Sequence, residues 1–283
     1  MLGTVQLGLP YGINNTTGKP TQNESERILD LASASGISIL DSADAYGDSL
    51  RVIGQYLKDH PAVRFDIISK FIEDDQPVIE KFQATVGILS RQDLYAYMYH
   101  RFGDYRNGRS MDTLLRLREE KAIRKIGVSV YGIDELTVVA ADPRIDLIQV
   151  PFNPFDASQE KNRLLTEAKS NGKEIHVRSI FLQGLFFKKP GELTGNLKGL
   201  AMPLTAFHEF IQSHNLTVTQ ACLNYALHNP LLDKVLIGIE KSDQLTQNLN
   251  AVLDNFPMDK CKSSFESILV TDQALLNPSN WKP

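Results

Sequence analysis

Cysteine is scarce in this chain. The 283 residues include two cysteines, Cys222 and Cys261, and their spacing matches no metal-ligand motif. So few cysteines exclude a disulfide-rich scaffold. The six histidines are scattered along the chain, so we expect two free thiols and no metal site.

The sequence also lacks the features that membranes and nucleic acids require. No apolar stretch approaches the roughly 20 residues that span a bilayer. The N-terminal residues MLGTVQLGLPYG lack the charged and long apolar regions of a signal peptide. The formal net charge is -4, which predicts no strongly basic surface. We therefore expect a cytoplasmic protein with no membrane and no nucleic-acid partner, and the sequence predicts no particular oligomeric state.

Several catalytic motifs are missing as well. No G-x-S-x-G elbow, H-E-x-x-H pair or G-x-x-x-x-G-K-[ST] loop occurs. Their absence argues against a serine hydrolase, a zinc protease and a nucleoside triphosphatase, respectively. No G-x-G-x-x-G follows an apolar run either, which argues against an open sheet that binds a dinucleotide.

What the chain does contain is an alternation of short apolar runs and amphipathic segments. The runs are rich in Ile, Val, Leu and Tyr and mostly apolar on both faces, as in parallel strands buried on both sides. They cover residues 2–8, 37–41, 65–71, 94–99, 125–131, 145–150, 174–181 and 234–239. The segments between them carry helix signals, such as the capping box Thr21-Gln22-Asn23-Glu24. One extra helix is predicted at 203–214.

Eight strands alternating with helices predict an α/β fold, a (β/α)8 TIM barrel that forms a single domain over residues 1–283. The alternative is an open, doubly wound sheet. Residues 255–283 are predicted to form a less regular tail, in which 263–270 (SSFESILV) suggests a short helix.

Polar residues follow three consecutive predicted strands. Asp41 ends the second strand, Tyr46 lies in the loop after it, Lys70 is near the end of the third, and His100 follows the fourth. In a barrel, catalytic groups come from these strand ends. Each residue alone has an ordinary structural explanation, such as a turn former or a solvated charge, but their joint placement favours a common site.

These four side chains suit proton transfer to a carbonyl oxygen. A free tyrosine has a pKa of about 10, and a neighbouring ammonium lowers that pKa by stabilising the phenolate. A buried lysine needs a counter-charge, which Asp41 can supply. A histidine beside the tyrosine can hydrogen-bond the carbonyl oxygen. The set therefore fits protonation of that oxygen as a hydride arrives at the carbon.

The same stretches resemble the aldo-keto reductase family. The segments that match it, in order and up to about residue 254, are LGTVQLGLPYG, GISILDSADAYGDS, IISKF, YMYHR, GVSVYG, IQVPFNPFD, RSIFLQGL and VLIGIEKSDQLTQNL. The resemblance implies a barrel that transfers hydride between a nicotinamide cofactor and a carbonyl or alcohol. It also implies that Tyr46 is the general acid/base, that Asp41 and Lys70 assist it, and that His100 positions the carbonyl.

The resemblance further implies a set of cofactor contacts. Ser129 and Gln149 would bind the nicotinamide carboxamide. Arg178 occupies a place where many members stack an aromatic ring on the nicotinamide, which is a departure. Ser179 and Gly184 would lie in the pyrophosphate loop. The residues expected at the adenosine end of the cofactor are Gly238, Lys241, Gln244 and Asn248.

The residues that bear on the choice of cofactor favour different answers. The resemblance implies NADP(H), but Glu240 and Gln244 occupy positions where members often carry arginine. Lys241 and Ser242 favour a phosphate, because one is a cation and the other stands at the start of a helix. NAD(H) or dual use therefore stays open.

The leading interpretation is an NAD(P)H-dependent oxidoreductase that reduces an aldehyde or ketone to an alcohol, or catalyses the reverse. The alternative is a cofactor-binding barrel that acts as a sensor or assembly subunit with little turnover. A non-redox isomerase or lyase is disfavoured, because no phosphate-gripping glycine-rich loop or metal ligands are found. The loops 11–20, 100–110 and 181–199 should choose the substrate. They carry Asn, Thr, Arg and Lys together with Tyr105, Phe186 and Phe187, and from this mixture we expect a polar or anionic carbonyl substrate such as a sugar.

Overall fold

Short parallel strands alternate with helices throughout the computed structural model, which describes residues 1–13, 15, 17–156, 158–268, 270 and 272–282. The strands are β1 (Leu2–Gly3), β2 (Ile39–Asp41), β3 (Asp66–Phe71), β4 (Leu94–Tyr99), β5 (Ile123–Ser129), β6 (Leu147–Pro151), β7 (Glu174–Arg178), β8 (Lys234–Val235) and β9 (Ile237–Gly238). The helices are α1 (Val5–Gly8), α2 (Gln22–Ala34), α3 (Ser49–Asp59), α4 (Val78–Ile88), α5 (Phe102–Asn107), α6 (Met111–Glu119), α7 (Ile133–Ala141), α8 (Gln159–Ser170), α9 (Ala201–Ser213), α10 (Val218–Leu227), α11 (Ser242–Asn250) and α12 (Met258–Ser267).

The two edges of the sheet are connected by β8 and β9, which act as one strand with a break between them. Its order is β8-β7-β6-β5-β4-β3-β2-β1-β9, and only Leu236 separates β8, which pairs with β7, from β9, which pairs with β1. The nine segments thus form a nearly closed barrel with helices between the strands. The predicted (β/α)8 barrel is confirmed, and the alternative open sheet is wrong.

The first predicted strand was too long. Only Leu2–Gly3 of the predicted run 2–8 is extended, and Val5–Gly8 form a short helix. The run is short and apolar, a pattern that does not distinguish a strand from a buried helix. The chain must turn here because α1 packs directly on the loop after β2: a Cβ atom on Gly8 would lie 1.7 Å from the Tyr46 carbonyl oxygen.

Other predicted boundaries also move. The run 174–181 leaves the sheet at Arg178, and Ser179 after it has a left-handed backbone with φ of 60°. The predicted extra helix at 203–214 corresponds to α9. In the tail, the helix begins earlier than the predicted run 263–270, at Met258, while residue 269 lies outside the described residues.

The inner face of the barrel is layered. Alternation along a strand puts Ile39 and Asp41 on the same face, and likewise Ile68 and Lys70, and Leu147 and Gln149. The three apolar members belong to a small buried cluster that is separate from the main core. The polar members lie one layer nearer to the C-terminal ends of the strands, and all three are buried. This periodicity places polar groups at the end of the barrel where loops can build a site.

No helix within the described residues is long and apolar enough to cross a membrane.

Candidate active site

The segment DSADAYGDS leaves β2 and folds back against the first strand. The Thr4 hydroxyl donates to the Asp41 carbonyl oxygen at 2.9 Å and accepts a hydrogen bond from the Ser49 hydroxyl at 2.7 Å. Gly47 has a left-handed φ of 54°, and a Cβ there would lie 2.7 Å from the Gly8 carbonyl oxygen. Because only glycine fits this turn, the backbone around Tyr46 is held close to α1.

Asp41 and Lys70 form a buried ion pair at the end of the barrel. Each side chain is 1% exposed, and the Lys70 ammonium contacts Asp41 Oδ1 directly. It also donates to the Ser42 carbonyl oxygen at 3.1 Å, while Gln149 Nε2 donates to Asp41 Oδ2 at 2.8 Å. Burial opposes the charge on Lys70, but Asp41 and Tyr46 outweigh it and raise the pKa of Lys70. The ammonium therefore stays charged at neutral pH.

Tyr46 lies next to this ammonium. The Lys70 Nζ atom is 5.1 Å from the centroid of the Tyr46 ring. Burial raises the pKa of Tyr46, and Lys70 opposes this rise without cancelling it. Lys70 thus acts in the expected direction, but the net pKa is above the ordinary value. At rest the side chain is a neutral phenol, which is the form that can donate a proton.

His100 also lies next to Tyr46. The two rings are 5.6 Å apart between centroids and meet edge to face at 80°. Burial, followed by the charge on Lys70, lowers the pKa of His100 to about 4, so the imidazole is neutral at pH 7. Among the described residues, its buried Nδ1 atom has no hydrogen-bond partner.

A cavity of about 560 Å³ opens above these side chains. It runs from Asp41, Tyr46 and His100 to the first two turns of α11. Eleven of the predicted site residues line it, namely Asp41, Tyr46, His100, Ser129, Gln149, Arg178, Ser179, Gly184, Gly238, Gln244 and Asn248. The strand ends and α11 therefore bring most of the predicted site residues together around one cavity.

Two predicted site residues lie outside the cavity lining. Lys70 is buried, but it contacts Asp41 and lies next to Tyr46, and both of these residues line the cavity. Lys241 lies in a second groove beside the cavity, with Arg27 and Ser242. The first turn of α11 divides the two spaces, since Glu240 and Gln244 line the cavity while the residues between them line the groove.

Arg178 has a stacking partner that the sequence did not predict. Its guanidinium carbon lies 3.9 Å from the centroid of the Tyr131 ring. The Arg178 Nη2 group also donates a hydrogen bond to the Val130 carbonyl oxygen at 3.2 Å. Stacking on an aromatic ring and a hydrogen bond fix the planar group, so one face of Arg178 is held by the protein.

The cavity has further aromatic lining residues, of which Tyr11, Phe181 and Phe187 lie in the loops 11–20 and 181–199 that were expected to choose the substrate, while Tyr131 was not predicted. Tyr11 accepts a hydrogen bond from Gln183 Nε2 at 3.0 Å across the mouth of the cavity. Tyr131, Phe181 and Phe187 add aromatic surface there. Tyr11 lies just after an apolar run, Tyr131 ends one, and both precede a glycine, as Tyr46 does. This pattern was the signal in the sequence that could have identified them.

The lining suits a dinucleotide in size and chemistry. Its volume is in the range of ordinary cofactor sites, about 300–1,000 Å³. At the strand ends, Ser129 and Gln149 are neighbours in the β5–β6 register. Since Gln149 Nε2 is bound to Asp41, its amide oxygen is the atom left to accept a hydrogen bond from a carboxamide. At the other end, Gln244 and Asn248 offer uncharged polar groups.

Comparison with known proteins agrees with this geometry. Residues 1–265 match the model of the aldo/keto reductase family. The aldo-keto reductase str7 of Strobilurus tenacellus is 24% identical over 277 residues, covering 88% of this chain and 82% of that protein. The D-threo-aldose 1-dehydrogenase of a Pseudomonas species is 22% identical over 287 residues, covering 85% of this chain and 87% of that protein.

Solved structures show the same fold. The aldo-keto reductase AKR11C1 from Bacillus halodurans, in its holo form, superposes with a TM-score of 0.73 at 18% identity, covering 94% of this chain and 90% of that one. The barrel seen here is the architecture of that protein. Because the family model extends from the first strand through most of α12, the chain belongs to the aldo/keto reductase family.

Proposed function

We propose that this protein is an NAD(P)H-dependent oxidoreductase that interconverts a carbonyl compound and an alcohol, with Tyr46 as the general acid/base. The observation that carries the proposal is the grouping of Tyr46, the charged Lys70 and the neutral His100 at the base of one cavity. Membership of the family supports the carbonyl-reducing activity.

The proton chemistry follows from the charges. In the reducing direction, the Tyr46 phenol donates its proton to the carbonyl oxygen. The phenolate that remains is stabilised by the Lys70 ammonium, whose charge is maintained by Asp41. Because Lys70 acts on the charged product of the proton transfer, its effect is larger in the transition state than before it.

His100 positions the carbonyl oxygen in this proposal. A neutral imidazole carries one N–H and one acceptor nitrogen, and the low pKa of His100 keeps it in this form at neutral pH. The N–H can donate to the carbonyl oxygen without competing with Tyr46 for the proton.

The cofactor is assigned to the rest of the cavity. Ser129 and Gln149 would hold the carboxamide, Arg178 would stack beside the ring, and Ser179 and Gly184 would contact the pyrophosphate. Gly238, Gln244 and Asn248 would contact the adenosine end. When bound, a reduced nicotinamide supplies the hydride that the carbonyl carbon accepts.

The substrate end of the cavity is aromatic. Tyr11, Tyr131, Phe181 and Phe187 line its mouth, whereas the arginines of the loop 100–110 do not line it. The arginines of this loop therefore do not support the expectation of an anionic substrate. The relative named for a D-threo-aldose keeps sugars among the candidates, and the rings favour aromatic aldehydes as a second class.

The test has two stages. First, NADH and NADPH are titrated into the purified protein and binding is followed by fluorescence. Second, absorbance loss of the reduced cofactor is recorded with an aldose and an aromatic aldehyde. Turnover with either carbonyl supports the proposal. Tight cofactor binding without a single turnover would favour the sensor or assembly subunit, and no binding of either cofactor would contradict both.

A further inference from the structure

The carboxylate of Glu24 caps a helix other than its own. Thr21 begins α2 as its N-cap, and its hydroxyl accepts a hydrogen bond from the Glu24 backbone amide at 3.3 Å. In a capping box the Glu24 carboxylate would return to the Thr21 amide. Instead it accepts from the Ser242 amide at 2.6 Å and from the Ser242 hydroxyl at 2.8 Å. The contact joins residues 218 apart in the chain.

This contact lies next to the part of the cavity that α11 lines. Glu240, Gln244 and Asn248 line the cavity there. Glu24 and Ser242 lie on the other side of the same helix turn, in the adjoining groove. Any group attached to a ligand at this end of the cavity would meet the first turn of α11.

The Ser242 amide and the two amides that precede it are already occupied. The Ser242 amide donates to Glu24, and the Glu240 and Lys241 amides donate to Gln244 Oε1 at 2.7 and 3.3 Å. The start of a helix favours an anion because its amides point outward and its dipole is positive there. Here a carboxylate of the chain itself takes the anion's place.

The charge on Glu24 is stable at neutral pH. The hydrogen bond from the Ser242 amide lowers the pKa of Glu24, so the side chain remains ionised. Arg27 lies 3.8 Å from Glu24 Oε2, and Lys241 shares the groove. Both cations therefore face a carboxylate rather than an open anion site.

We infer that Glu24 selects the cofactor by occupying the start of α11, so that a dinucleotide without a 2′-phosphate binds better than one that carries it. This inference rests on the proposed function, which places the nicotinamide at Tyr46 and hence the adenosine ribose along α11. A phosphate there would lose the Ser242 donors and meet the carboxylates of Glu24 and Glu240. A ribose without the phosphate does not need the Ser242 amide or the Ser242 hydroxyl as a hydrogen-bond donor.

Removal of the charge should open the site. In Glu24→Gln the cations Arg27 and Lys241 remain while the competing carboxylate is gone. In Glu24→Lys a further cation is added to the groove. Both variants should bind NADPH more tightly, and NADH should be little affected. A single favourable interaction of an anion with a helix start and a nearby cation corresponds to a shift of about tenfold in the dissociation constant.

The experiment measures dissociation constants for NADH and NADPH in the full-length protein. The variants are Glu24→Gln and Glu24→Lys, and the matched controls are Glu26→Gln and Glu26→Lys, which change the same helix away from α11. The Glu26 carboxylate accepts only from Gln22 in the contacts described. Melting temperatures are recorded for all proteins to show that each is folded.

The wild type is expected to prefer NADH, and the ratio of the NADPH to the NADH constant should fall about tenfold in the Glu24 variants but not in the controls. A wild type that binds NADPH as tightly as NADH overturns the inference. So does a ratio that stays the same in both folded Glu24 variants, or an equal loss of both cofactors, which would show a purely structural contact. A wild type that binds neither cofactor contradicts the proposed function instead.

Discussion

The two ends of the cavity differ in how their acidic groups are balanced. At the base, the Asp41 carboxylate is matched by the Lys70 ammonium, and the pair is buried beneath Tyr46. At the α11 end, two carboxylates, Glu24 and Glu240, stand near the start of a helix, and the cations beside them are exposed or lie in the neighbouring groove. The first arrangement fixes a proton donor. The second arrangement places negative charge next to a ligand bound at the α11 end of the cavity.

This difference suggests that the base of the cavity serves catalysis and that the α11 end determines which cofactor binds. Changes near Tyr46 should alter turnover at saturating cofactor and leave the cofactor constants nearly unchanged. Changes near α11 should alter the cofactor constants and leave turnover at saturation nearly unchanged. A variant that moves both quantities equally would break the comparison.

The largest effect is expected for Tyr46→Phe. This change keeps the ring but removes the proton donor, and general acid catalysis contributes about 10²–10⁴-fold. Steady-state turnover and cofactor affinity should be measured together. The matched control is Tyr11→Phe, because Tyr11 also lines the cavity but its hydroxyl is bound to Gln183. Near-normal turnover in Tyr46→Phe would remove this residue from its proposed role.

A somewhat smaller loss is expected for Lys70→Met. Turnover should fall by about 10²–10³-fold, because the phenolate of Tyr46 loses its electrostatic support. The protein should also be destabilised by about 3–5 kcal/mol, since Asp41 is left buried without its cation. Thermal unfolding and turnover below the melting transition measure the two effects.

Lys161 supplies the control for this experiment. It is equally buried and contacts Asp156 in an ion pair outside the proposed catalytic group. Lys161→Met should lower the melting temperature to a similar extent but retain most of the turnover. Equal losses of turnover in the two variants would mean that Lys70 acts through stability alone.

The effect of His100→Ala should be about 10²-fold on turnover, the typical cost of losing one hydrogen-bond donor to the reacting oxygen. Cofactor affinity should change little. If affinity falls and turnover at saturation is unchanged, His100 belongs to the cofactor site.

The protonation of His100 gives a second, pH-dependent readout. Its pKa is about 4 in the folded protein against an ordinary value of 6.5. As pH falls from 6.5 toward 4, the unfolded chain binds a proton that the folded protein does not, so His100 lowers stability over this interval. His100→Ala should reduce the slope of stability against pH there. An unchanged slope in urea unfolding would contradict the burial of a neutral imidazole.

Some of this architecture was readable from the sequence, and the reasons are specific. The period of apolar residues indicated the barrel, and strand order alone brings Asp41 and Lys70 to one end of it. The helix Val5–Gly8 and the break at Leu236 were not readable, because very short apolar segments do not reveal their conformation. The catalytic and cofactor-binding roles of the site residues stay predictions until the variants are measured.

The contact between Glu24 and Ser242 could not have been predicted in the same way. The pattern from Thr21 to Glu24 satisfied a local rule, the capping box, so nothing in it pointed to a distant partner. The packing of α2 against α11 decides where the carboxylate goes. Likewise, the stacking of Arg178 on Tyr131 joins the end of β7 to the loop after β5, and the barrel sets their distance.

The smallest expected effect concerns Glu240 at the α11 end. Its carboxylate lines the cavity, where it should repel a 2′-phosphate and accept hydrogen bonds from an unmodified ribose. Glu240→Arg should shift the ratio of the NADPH and NADH constants toward NADPH by about tenfold, with little change of turnover at saturation. Glu209→Arg, an exposed change on α9, controls for the added charge. A wild type that already binds NADPH about a thousandfold better than NADH, equivalent to about 4 kcal/mol, would show that Glu240 is directed away from the phosphate and that Lys241 and Ser242 define its site.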